Sequence, residues 1–370
     1  MHHPPQAAEA AGRDFTGGGI LGMPRRPVTT GDKRLDAIVH ELVAQHGGLA
    51  DEALIEELVV NALRFARYEI SIADLKLINR TLRELRSANR VFFPYRNRHK
   101  VVIYGSARTH PEQAEAKAAE EFARRMVEMN FMVITGAGEG IMGAGQKGAG
   151  RENSFGLNIK LPFEQEANET IEGDKKLVNF NYFFTRKLTF VKEAEAVALF
   201  PGGFGTMDEC FELLTLIQTG KSQIIPILMV DAPDGTYWKT FSVFLRDHLL
   251  RRRLISEGDF SLFHITDDVA EAAEHIRKFY RVFHSYRYVR EQIAIRLHRR
   301  IRPEEVYILN KQFPDLVLEG TIEQGTCLEA ERDEPELATL PRLVFKPKRG
   351  NYGRLRELID AVNAAEFEPS

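Results

Sequence analysis

Pro201-Gly202-Gly203-Phe204-Gly205-Thr206 is the segment of this 370-residue chain best suited to chemistry. Glycine lets backbone N–H groups crowd an anion, and a helix that begins there adds its positive end. Glu209 follows within about one turn, so a carboxylate can stand beside the sugar of a phosphate held in the loop. Thr206-Met207-Asp208-Glu209 also fits a plainer role. Thr-x-x-Glu is a capping box, in which Thr206 would cap the helix and Glu209 would reach back to its first amide. One residue can serve both ends. Arg186-Lys187 stands 23 residues before Glu209. Such a pair is usually solvated charge. The preceding Phe180-Asn181-Tyr182-Phe183-Phe184 implies instead that it emerges from a buried segment at a sheet rim. An arginine placed there can fix a phosphate or a base, and its charge can hold Glu209 ionised.

These residues need a frame. From 100 to about 282 apolar runs alternate with helical patterns, as in a parallel sheet covered on both faces. Val101–Tyr104, Phe131–Thr135, Ser154–Ile159, Val197–Phe200 and Ile224–Val230 read as strands, with a sixth at Phe260–Ile265. Helices are predicted near 112–129, 205–219, 237–252 and 267–282. In such a sheet ligands bind beyond the carboxyl ends of the strands. Those ends carry Gly105-Ser106-Ala107, Gly136-Ala137-Gly138-Glu139-Gly140 and the Pro201–Thr206 loop, and three such turns on one rim favour a phosphate ligand. Gly138-x-Gly140-x-x-Gly143 matches the dinucleotide fingerprint, but it follows the second strand rather than the first. The third strand closes on Asn158-Ile159-Lys160, with no acid for a ribose. A mononucleotide crevice therefore fits better than an NAD site.

Outside this region the pattern changes. Residues 1–31 carry no periodic apolar face and are predicted to be disordered. Leu35, Ile38, Val39, Leu42 and Val43, then Leu54, Ile55, Leu58 and Val59, recur at helical spacing, so 32–98 reads as a helical arm. Residues 99–283 form the expected Rossmann-like domain. A C-terminal α+β extension over 284–370 is predicted with a helix through Tyr286–Leu297, strands at Val306–Leu309, Leu316–Ile322 and Arg342–Phe345, and a last helix near Leu355–Val362.

Composition narrows the partners. A formal net charge of −3 supplies no global field for nucleic acid or an anionic membrane. Arg251-Arg252-Arg253 and His298-Arg299-Arg300 read as local solvated faces. The two cysteines, Cys210 and Cys327, make neither a disulfide framework nor a metal pair, so a reducing compartment is expected. No run approaches the ~18 apolar residues that span a bilayer, and the Met1-His2-His3-Pro4-Pro5 start has no signal-peptide pattern. A cytoplasmic protein is the expectation.

Pro201–Glu209 resembles the PGGxGTxxE signature of the Lonely Guy phosphoribohydrolases, and Arg186-Lys187 stands at the matching distance ahead of it. Gly105-Ser106 and Thr135–Gly143 resemble the family's two other glycine turns. Gly156–Gln165 is similar to a longer bacterial branch often labelled lysine decarboxylase. The resemblance covers about 100–282. It implies hydrolysis of a cytokinin riboside 5′-monophosphate or AMP to the free base and ribose 5-phosphate, with Arg186 and Glu209 as the catalytic pair. It also implies substrate contacts from Gly105, Ser106, Gly136, Gly138, Glu139, Gly140, Met142, Lys187, Gly202, Gly203, Gly205 and Thr206. A homodimer or larger homo-oligomer is implied too.

Breaking a ribosyl N–C bond builds positive charge on the sugar, much as glycoside hydrolysis does. A carboxylate beside the anomeric carbon can stabilise that charge and polarise water, and neither a metal nor a cofactor is required. Asp208 is the candidate proton donor to the leaving base. Decarboxylation would need pyridoxal phosphate on a lysine with a partner acid, and no lysine stands in that context. The competing reading is a non-catalytic carrier of a nucleotide or molybdenum cofactor on the same fold.

Overall fold

The computed structural model describes residues 28–47, 51–66, 69–161, 167–331 and 334–368. Most of the segment expected to be disordered, and Pro162–Gln165 of the family-like stretch, lie outside the described residues. The chain divides into two compact units at Arg83 and Glu84.

The smaller unit holds α1 (Lys33–His46), α2 (Glu52–Phe65) and the first part of α3 (Ile72–Phe92). Asp32 and Asp51 start the first two helices, each side chain accepting from first-turn amides. Among its described residues, Val39, Val43 and Val60 are the buried apolar side chains.

The larger unit begins at the end of α3. It continues through β1 (Lys100–Tyr104), α4 (Ala114–Glu128), β2 (Met132–Thr135), α5 (Ile141–Ala149), β3 (Ser154–Ile159), β4 (Leu177–Phe180) and α6 (Phe183–Glu193). Then come β5 (Ala196–Leu199), α7 (Phe204–Gln218), β6 (Ile227–Val230), α8 (Tyr237–Phe244), β7 (His264–Thr266) and α9 (Val269–Phe279). The seven strands form one sheet in the order β4-β3-β2-β1-β5-β6-β7, and every neighbouring pair is parallel. Val101, Ile103 and Val133 point to the face covered by α4 and α9, where Phe122, Met126 and Ile276 are buried. Val102, Leu157 and Val197 point to the other face, with Phe92 of α3, Phe190 of α6 and Leu213 of α7. Burial on both faces is why these strands read as unbroken apolar runs. The architecture is Rossmann-like α/β.

The C-terminal segment adds β8 (Phe283–Val289), β9 (Gln292–Leu297), α10 (Pro303–Gln312), β10 (Val317–Gly325), β11 (Arg342–Pro347) and α11 (Tyr352–Ala364). Its antiparallel sheet runs β10-β11-β9-β8. Ile293, Ile295, Phe345 and Leu358 join the same core as Val197 and Leu213.

The expected helix at 286–297 is instead the β8–β9 hairpin, turned at Arg290 with φ 55°. Its two-residue turn, Arg290-Glu291, carries no Asn-Gly or Asp-Gly signal, so nothing marked the reversal. The expected strand Val306–Leu309 lies inside α10, which Pro303 opens. A four-residue apolar run cannot be told from a buried helix turn by period alone. β4 was not foreseen, because Leu177–Phe180 holds only four residues with Asn179 exposed.

Candidate active site

Strand order locates the crevice. The chain runs outward from β1 through β2, β3 and β4, then crosses back along α6 to place β5 on β1's other side. The order reverses between β1 and β5, and ligands bind at such a switch point. Gly105-Ser106 leaves β1 there, the Pro201–Thr206 loop leaves β5, and α6 carries Arg186 into the same corner.

Ser106 ties the three loops together. Its amide donates to Pro201 O (3.1 Å), its carbonyl accepts from the Ile141 amide (3.0 Å), and its Oγ accepts from the Arg108 amide (3.0 Å). Glycine is obligatory at two points of this junction. Gly140 has φ +63°, and a Cβ there would overlap the Ser106 and Ala107 carbonyl groups. A Cβ on Gly202 would overlap the buried Thr206 side chain and come within 3.0 Å of the Ser106 amide. Gly203 and Gly205 differ: an added Cβ would meet nothing within 4 Å. The folded chain does not need glycine at these two positions, so the space beside them is open to an approaching group.

α7 starts at Phe204 with Gly203 as N-cap and no side-chain cap. The capping-box reading is therefore wrong. Thr206 lies inside the first turn rather than at the cap, and its side chain packs on Gly202. Glu209 is one turn further on. Its carboxylate faces Arg186, with Arg186 Nη1 3.9 Å from Glu209 Oε1.

Arg186 is buried. Its Nε donates to Leu157 O (2.7 Å) within β3, and its guanidinium carbon lies 5.2 Å from the Phe190 ring centroid. A Cβ on Gly136 would overlap this guanidinium and the Met142 sulfur. Burial pulls the Arg186 pKa down against the opposing charge of Glu209. Burial likewise pushes Glu209 up to about 7, with Arg186 only partly countering it. The sequence suggested that the arginine would keep this carboxylate ionised. Desolvation outweighs that attraction here.

Lys187 is turned elsewhere. Its Nζ pairs with Asp208 (2.7 Å) and Glu212 (3.2 Å) on α7. Asp208 is thus bound to a lysine on an exposed face rather than directed at the crevice. Gly138 and exposed Glu139 lie in the β2–α5 turn, with Met142 half-buried behind them.

Four residues escaped the sequence reading. Asn168 Nδ2 donates to Ala137 O (3.0 Å), Gly138 O (2.9 Å) and Gln146 Oε1 (2.6 Å), pinning a turn in which Ala137 has φ 64°. Tyr237 OH donates to Gly202 O (2.7 Å). Tyr104 ends β1 buried, and burial followed by the charge of Glu209 holds its hydroxyl well above the usual tyrosine range. Glu84 accepts from Asn181 and Thr185 just ahead of Arg186. Only Tyr104 had a local signal, its place immediately before Gly105.

Residues 140–276 match the family described as "Possible lysine decarboxylase". A protein of Oryza sativa subsp. japonica, described as a probable cytokinin riboside 5′-monophosphate phosphoribohydrolase, is 27% identical over 177 residues, 46% of this chain and 73% of its own length. Two solved structures are similar at 16% identity and TM-score 0.35. The molybdenum cofactor carrier protein of Chlamydomonas reinhardtii covers 49% of this chain and 97% of its own. The molybdenum cofactor binding protein of Rippkaea orientalis covers 48% and 93%. Strand order and loop chemistry define the class as a Rossmann-like α/β protein with a glycine-lined crevice. Its α/β domain is similar to the Lonely Guy proteins, of which the described relative in rice carries a probable phosphoribohydrolase name.

Proposed function

We propose that the chain hydrolyses the N-glycosidic bond of a nucleoside 5′-monophosphate, a cytokinin riboside monophosphate or AMP, to the free base and ribose 5-phosphate. The observation that carries this reading is the meeting of Arg186 and Glu209, 3.9 Å apart and desolvated, beside the uncapped start of α7. In this reading the 5′-phosphate sits at Gly202–Thr206, against the open space beside Gly203 and Gly205 and the positive end of the helix. Glu209 is six residues beyond the N-cap, about 9 Å of helix rise, which leaves room for the ribose between phosphate and carboxylate. As the base–C1′ bond breaks, ionised Glu209 stabilises the positive charge growing on the sugar and takes a proton from the attacking water. The water oxygen bonds C1′, and the base leaves with a proton that a carboxyl titrating near 7 can relay. Binding energy from the remote phosphate holds the sugar in place.

A homodimer or larger homo-oligomer belongs to the same proposal. Phe204 is 97% exposed at the mouth of the crevice, and Phe183, Phe184 and Leu188 of α6 are exposed too, a surface that a second copy would cover. A cytoplasmic setting is proposed from the two free cysteines. No helix among the described residues is long and apolar enough to cross a membrane.

The test is base release across a panel of nucleoside 5′-monophosphates, beside the Glu209→Ala protein. Adenine or a cytokinin base should appear from the monophosphate and hardly at all from the unphosphorylated riboside. Equal turnover of both would remove the phosphate anchor. If Glu209→Gln altered neither ligand affinity nor any activity, a non-catalytic carrier would be the better reading.

A further inference from the structure

Arg186 owes its place to the rotation of α6, and α6 has no side-chain cap of its own at Tyr182. A carboxylate from another helix binds beside that end, to Asn181 ahead of the helix and to the Thr185 hydroxyl. Glu84, only 4% exposed, lies on α3, outside the family-matched segment. It accepts from the Asn181 amide (2.9 Å), Asn181 Nδ2 (2.8 Å) and Thr185 Oγ1 (2.6 Å). All three partners are neutral donors, and they lie at or just ahead of the positive end of α6. Thr185 is the residue before Arg186. A second tie, Lys192 Nζ to Asn89 Oδ1 (2.8 Å), joins the same two helices near the other end of α6.

The consequence for Arg186 is geometric. Its Nε must reach Leu157 O at 2.7 Å while Nη1 stays 3.9 Å from Glu209. A guanidinium on a long side chain meets both only if the helix carrying it is fixed about its axis. Lys187 fixes α6 on the α7 side through Asp208 and Glu212, whereas Glu84 grips its start from the α3 side.

We propose that Glu84 is a positioning residue, which sets α6 through Thr185 and Asn181 so that Arg186 faces Glu209 at the crevice. Its bearing on catalysis rests on Arg186 and Glu209 being the reacting pair. The full-length chain, labelled with carboxyl-13C glutamate, reports the ionisation of Glu209 by NMR, assigned against Glu209→Gln. Glu84→Ala and Thr185→Val let Arg186 withdraw, so the Glu209 titration moves up by about 1 pH unit, the loss expected when an opposite charge roughly 4 Å away leaves. Glu84→Gln keeps an acceptor and shifts it less. In the base-release assay kcat falls about 10- to 100-fold, as a misplacement on the order of 1 Å does, while KM stays within about twofold because the phosphate loop is untouched. Leu358→Ala, which loosens the core in α11, serves as the control and leaves the Glu209 titration in place. An unmoved titration in both Glu84→Ala and Thr185→Val, or an equal shift in Leu358→Ala, overturns the proposal. A shifted titration in a protein that releases no base sustains the positioning role and sinks the hydrolase reading. Base release with an unmoved titration does the reverse.

Discussion

Glu209 should make the fold less stable as the pH rises, and its replacement should remove that dependence. The carboxyl is pushed from the ordinary 4.5 up to about 7, chiefly by burial. A group whose folded pKa exceeds its unfolded value keeps its proton in the native chain while the unfolded chain has already lost it. Between pH 4.5 and about 7 the native state therefore binds more protons, and stability falls as the pH climbs through that window. At 1.36 kcal/mol per unit, the full shift amounts to about 3 kcal/mol, present below pH ~4.5 and gone above ~7. Glu209→Gln cannot ionise. It also leaves Arg186 without its counter-charge, but arginine stays protonated throughout, so that cost is constant with pH. The informative quantity is the stability of wild type minus that of Glu209→Gln, measured by urea unfolding at pH 4.5, 5.5, 6.5 and 8. It should drop by about 3 kcal/mol across the series. Parallel curves for the two proteins would refute the claim that this carboxyl is desolvated in the native state.

Three further outcomes follow from the same geometry. If the ionised carboxylate is the reactive form, kcat/KM rises about tenfold per pH unit below ~7 and levels above it, and a flat profile would contradict that role. Gly136→Ala drives a methyl into the Arg186 guanidinium and breaks its charged bond to Leu157 O, worth about 1.5–3 kcal/mol. Base release should therefore fall at least about tenfold, with far-UV circular dichroism unchanged. Tyr237→Phe removes the hydroxyl that holds Gly202 O, at about 0.5–1.5 kcal/mol, and should raise KM for the monophosphate several-fold while kcat holds.

The legible part of the site was the part written locally. Gly140 and Gly202 are demanded by positive φ or close packing, while Gly203 and Gly205 leave open space that the fold itself does not require, so each glycine turn announced itself beside its own strand. Arg186 showed through the aromatic run ahead of it. What stayed hidden acts over distance: Glu84 reaches 97 residues to Asn181, Tyr237 reaches 35 back to Gly202, and Asn168 reaches 31 back to Ala137. No spacing rule links such pairs, because the fold and not the helix or strand period brings them together. The C-terminal sheet was misread for a related reason. Its hairpin is set by burial in the shared core around Ile293 and Ile295, while its turn residues carry no signal.

One comparison within the chain bears on the role proposed for Glu209. Glu331 is among the most buried carboxylates of the described residues, yet its pKa falls. Burial raises it, but the Leu328 amide and the guanidinium groups of Arg296 and Arg342, at 2.8 and 3.2 Å, more than compensate. That is how a fold keeps an ion pair for its own sake, since a buried charge is tolerated when its lone pairs are satisfied. Glu209 has an arginine within reach and is not so satisfied. Arg186 gives its short bond to Leu157 O, stands 3.9 Å from the carboxylate, and leaves Glu209 titrating near neutrality. A pair selected for stability would have closed that gap. A separation beside an open, glycine-lined crevice keeps the carboxylate available to something the crevice receives, and it is this withheld contact, rather than the presence of two charged residues, that argues for chemistry at the switch point.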